Sequence, residues 1–90
     1  SERWQRVERR YATVAHRVLD PAAARHPDVP VEVWVRHGGA ARTVSEVVRE
    51  TGAGLVVVGA RGRGGFAGLR LGSVSRRVVE QAGTVVAVVR

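Results

Sequence analysis

From Arg3 to Leu19 the apolar residues Trp4, Val7, Tyr11, Val14 and Val18 recur at steps of three and four, the spacing of one face of a helix. Arg3, Arg6, Arg9, Arg10 and Arg17 lie mostly off that stripe, so the helix reads first as the cover of a sheet, ahead of a nucleic-acid or membrane-surface helix. Asp20, Pro21 and the run to Pro30 are expected to break it and form a connector, because Pro27 and Pro30 bias the residues before them toward extended backbone. Val31, Val33 and Val35 then alternate with Glu32, Trp34 and Arg36, a period-two pattern that predicts a strand near a sheet edge. After His37-Gly38-Gly39, Val44, Val47 and Val48 carry a second helical stripe. Its start is open between Thr43, which has capping-box spacing to Glu46, and a point near Ala41; Gly52 is expected to end it. Leu55 to Val58 is wholly apolar, as in a central parallel strand buried on both faces. Ser73 is the expected N-cap of a third helix with Val74, Val78 and Ala82 inward, closed by Gly83 before a strand from Thr84 to Val89.

The order helix, strand, helix, strand, loop, helix, strand predicts an α/β fold: an open, mostly parallel sheet with flanking helices, joined by right-handed crossovers. Ninety residues allow one domain, spanning 1–90, and an apolar fraction of 44% with 26% charged residues is ordinary for a globular one. The chain has no cysteine, which excludes disulfides, cysteine zinc sites and thiol catalysis. It has no lysine either, so a Walker lysine and Schiff-base chemistry are excluded. All 15 basic residues are arginine against 8 acidic ones, and the resulting +7 points to an anionic partner. No apolar run approaches the length of a membrane span, so a soluble, cytoplasmic chain without membrane partners is expected.

Between Gly59 and Ser73 a strand runs into a glycine-rich loop and then a helix start, the arrangement by which α/β proteins hold phosphate. No acidic residue lies between Glu50 and Glu80, whereas Arg61, Arg63, Arg70, Arg76 and Arg77 do. A positive side chain in the first turn of a helix is disfavoured, and a docked anion would reverse that sign. His16, His26 and His37 have no metal-ligand spacing and no neighbouring carboxylate, and no nucleophile with a base is evident, so a dedicated enzyme is not expected.

The run from Leu55 to Ser75 resembles the C-terminal half of a universal stress protein domain of the ATP-binding branch. Gly59, Gly62, Gly72 and Ser73 meet that family's pattern of Gly, two residues, Gly, nine residues, Gly and Ser or Thr. His37-Gly38 and the segment from Pro27 to Pro30 extend the likeness upstream, and the terminal valine-rich strand extends it downstream. The resemblance implies a Rossmann-like, adenine nucleotide alpha hydrolase-like fold whose first two strands are absent from these residues. It implies ATP, alone or with Mg2+, as cofactor: Gly59, Gly62 and Gly72 would bring amides to the phosphates, and Ser73 and Ser75 would add hydroxyls. Val58 and Val74 would pack near the ribose or base, and Arg61 would line the loop. It further implies a role in stress response or signalling as a homodimer paired through the strand from Thr84 to Val89, with at most slow ATP hydrolysis or autophosphorylation. Two other readings stay open: a structural dimerisation module that binds no nucleotide, and a basic module for nucleic acid or other polyanions, of which nucleic acid is the less expected partner. Ala40, Gly54 and Thr84 depart from family residues that are often proline, aspartate and proline.

Overall fold

A computed structural model of the chain describes residues 1–60 and 71–90. They form two compact units, Ser1–Arg36 and His37–Arg90. In the first, α1 spans Glu2–Arg25, started by Ser1, whose hydroxyl accepts the Trp4 N–H at 3.2 Å. The expected break at Pro21 does not occur: Pro21 lies inside the helix. Proline forfeits one backbone bond and strains one turn, but three alanines follow it, the strongest helix formers, and carry the helix one further turn. His26, expected in the connector, is instead the C-cap, and its N–H donates to Ala23 O at 3.1 Å. Leu19, Ala22, Ala23, His26, Val29 and Val31 line a shallow apolar hollow of about 230 Å³ at this end. Tyr11, Val14 and Val18 of the apolar stripe are exposed.

The strand expected over residues 31–36 is not formed, since the described residues pair in no ladder other than that of β1, Leu55–Gly59, with β2, Val85–Val89. The alternation itself survives, with Val33 and Val35 half-buried and Val31, Glu32, Trp34 and Arg36 exposed. A period-two pattern sets which way side chains point, but a strand exists only where a neighbour accepts its backbone bonds.

In the second unit α2 spans Ala40–Thr51, so of the two expected starts the one near Ala41 holds and the one at Thr43 does not. Gly39 caps it, accepting the Thr43 N–H at 2.9 Å, so Thr43 lies in the first turn, and Glu46 pairs with Arg42 at 3.2 Å instead of closing a capping box. Gly52 ends the helix as expected, at φ 69°. The strands pair in parallel from Leu55 with Val85 to Gly59 with Val89, and the crossover between them carries α3, Ser73–Gln81. Gly72, not Ser73, is its N-cap, and Ser73 is its first residue. Ala82 caps the other end, followed by Gly83 at φ 74°.

The core is Ala41, Val78 and Ala82, with Val44, Val56, Val58 and Val86 packed against it. The helices therefore cover one face of the sheet, while Leu55, Val57, Val85 and Val89 remain exposed. This departs from the expectation that Leu55 to Val58 is buried on both faces. The inward face of α3 also differs: Ser75, Val78 and Ala82 are buried, and Val74 is 55% exposed. Spacings of three and seven fit Ser75 as well as Val74 does, and hydropathy alone favoured the valine. The architecture is α/β with helices flanking a small parallel sheet. No helix of the described residues is long and apolar enough to cross a membrane.

Candidate functional site

The end of β1 is tied to two neighbours by backbone bonds through one residue. Ala60 N–H donates to Val89 O, and Ala60 O accepts the Gly72 N–H, each at 2.7 Å. A third bond runs from the Ser75 hydroxyl to Gly59 O at 2.5 Å. Together they set the first turn of α3 beside the carboxyl ends of both strands, where open α/β sheets take their ligands. Within α3 the first intrahelical bond runs from Arg76 N–H to Gly72 O at 2.9 Å. The amides of Ser73, Val74 and Ser75 precede it, and among the described residues no side chain caps them. No acidic residue occupies this turn, and Arg76 and Arg77 are exposed beside it. N–H groups without a partner among the described residues and the positive end of the helix dipole coincide on an arginine-rich helix, a setting that attracts an anion.

Of the residues expected to bind nucleotide, Val58 is half-buried against the core, and Gly59 ends β1. Arg61 and Gly62 lie outside the described residues. Gly72 adjoins Ala60, and its N–H, for which the resemblance implies a phosphate, donates to the Ala60 carbonyl. Its φ of −62° and ψ of 158° suit any residue, so backbone conformation does not call for glycine at this position. Ser73 and Val74 are both exposed, Ser73 as the first residue of α3. Ser75 is 8% exposed, and its hydroxyl hydrogen is engaged with Gly59. Sequence reasoning missed Ala60, which acts through its peptide groups and carries no side-chain signal. It also missed the inward turn of Ser75, which the spacing to Val78 and Ala82 would have revealed.

One histidine differs from expectation. His16 has a carboxylate neighbour, with Nδ1 3.3 Å from Asp20 Oδ1, because α1 continues past Asp20 and brings the pair onto one side. Among the described residues no three His, Asp or Glu side chains gather as a metal site would require.

The universal stress protein family model matches residues 2–90. A universal stress protein of Mycolicibacterium smegmatis is 50% identical over 66 residues, 73% of this chain and 22% of that protein. A universal stress protein of Mycobacterium tuberculosis is 40% identical over 87 residues, 97% of this chain and 27% of its own length. The chain thus spans about a quarter of the length of the curated relatives it matches. No solved structure gives a significant match. The fold, the glycine spacing about α3 and a family match over nearly the whole chain agree: this chain belongs to the universal stress protein family.

Proposed function

We propose that the chain binds ATP, alone or with Mg2+, by holding its phosphates at the start of α3, within a homodimeric protein of stress response or signalling. The observation that carries the reading is the uncapped first turn: the amides of Ser73, Val74 and Ser75, the exposed Ser73 hydroxyl and no acidic side chain. Gly72 supports it, since a glycine with ordinary backbone angles is explained by the close approach of a ligand. Gly59 and Gly62 complete the glycine pattern, Arg61 lies between them, and Val58 and Val74 flank the pattern in sequence. The role is binding, and the triphosphate brings its own chemistry as a charged, hydrolysable signal. The dimer pairs β2 with its copy across the open edge of the sheet.

Calorimetric titration of the full-length protein with ATP, GTP and inorganic triphosphate tests the reading. ATP is expected to bind selectively, and Gly72→Asp to weaken it at least about tenfold, by placing a carboxylate at a helix start that tolerates it structurally. Equal, weak binding of all three anions would leave only an arginine-rich surface and overturn the ATP reading.

A further inference from the structure

We infer that Ser75 is a positioning residue for this site: its hydroxyl fastens Gly59 to the first turn of α3 and thereby aims the open amides of Ser73 and Val74. The inference rests on the ATP reading. Ser75 is the buried polar residue among the described residues, and its bond is to a carbonyl 16 positions away. Serine within a helix ordinarily bonds back to a carbonyl of its own helix or faces water, and it is a weaker helix former than alanine. A buried position beside Val78 and Ala82 would accept alanine by size and propensity alike. The hydroxyl therefore serves the junction and not the helix.

Among the described residues the junction has two other ties, from Ala60 N–H to Val89 O and from Gly72 N–H to Ala60 O. Both are backbone bonds, made by the two successive peptide groups on either side of the Ala60 Cα, so rotation there leaves a pivot between strand and helix. The Ser75 bond holds the Gly59 carbonyl, in the same peptide group as the Ala60 N–H, so α3 is tied to both peptides and that rotation is removed. Pre-set donors hold an anion more tightly than donors that must be ordered on binding.

The test compares Ser75→Ala, Ser75→Thr and Ser75→Cys in the full-length protein, by ATP and inorganic triphosphate titration, thermal melting and amide hydrogen exchange. Ser75→Ala is expected to weaken both ligands about tenfold and to speed exchange of the Ala60 and Gly72 amides about tenfold, with exchange at Gly52 unchanged. Ser75→Thr, which keeps the hydroxyl, restores both readouts. Ser75→Cys, a weak donor of near-serine size, falls between and serves in place of the threonine variant if the added methyl lowers the melting temperature. Affinity within twofold of the native protein in Ser75→Ala, with unchanged exchange at Ala60 and Gly72, overturns the inference. A native protein without affinity for ATP overturns the ATP reading alone. Faster exchange in Ser75→Ala then still supports the Ser75 tie, and unchanged exchange overturns it.

Discussion

Val78, at 2% exposure, is the residue on which α3 closes over the sheet. Val78→Ala removes two buried methyl groups and leaves a cavity, so urea denaturation is expected to show a loss of about 2 kcal/mol. Gly52 makes a contrasting case. A Cβ there meets nothing within 4 Å, yet its φ of 69° is left-handed, so Gly52→Ala loses about 1 kcal/mol from backbone conformation alone. Gly39, also open but without a positive φ, accepts alanine with only the few tenths to 1 kcal/mol that a poorer N-cap costs. Comparing the three denaturation midpoints separates packing, conformation and capping. At this scale the sequence was readable where a residue's role is carried by size or by freedom about φ, as with Val78 and Gly52. It was not readable where a side chain's partner is remote: nothing in the run from Ser73 to Ser75 says that the second serine reaches back to Gly59.

Among the elements, α1 shows how a local rule yields to its neighbours. Pro21 was expected to stop the helix, and the three alanines after it carry the helix on to Arg25. Pro21→Ala restores a backbone bond in the last turns, and slower amide exchange over residues 22–25, by about fivefold to tenfold, is the expected outcome. Unchanged exchange would mean that the turn after Pro21 is held by something other than helix bonding. The valine runs that made β1, α2, α3 and β2 legible are patterns that each element satisfies within its own length. Residues 31–36 carry as clear a pattern and form no strand, because pairing depends on a neighbouring strand, which lies beyond the reach of any local periodicity.

For the whole molecule, the proposed dimer places its demand on β2. Since Ala60 N–H reaches Val89 O, the backbone groups of Val85, Ala87 and Val89 face β1, and those of Val86 and Val88 face the other edge. Val86 packs on the core, whereas Val88 is 41% exposed. Val88→Pro removes a donor from that free edge while sparing the β1 ladder, and light scattering on a sizing column is expected to report monomers. A dimer that persists would place the interface elsewhere.

The bond from Gly72 N–H to Ala60 O brings together two chain positions separated by eleven residues. Chain entropy charges a closed loop only by the logarithm of its length, so inserting three residues there costs the fold about 0.2 kcal/mol. On the proposed ATP reading, the nine residues between Gly62 and Gly72 are a length set by the nucleotide, and an insertion among them is expected to leave melting unchanged while abolishing ATP binding in a calorimetric titration.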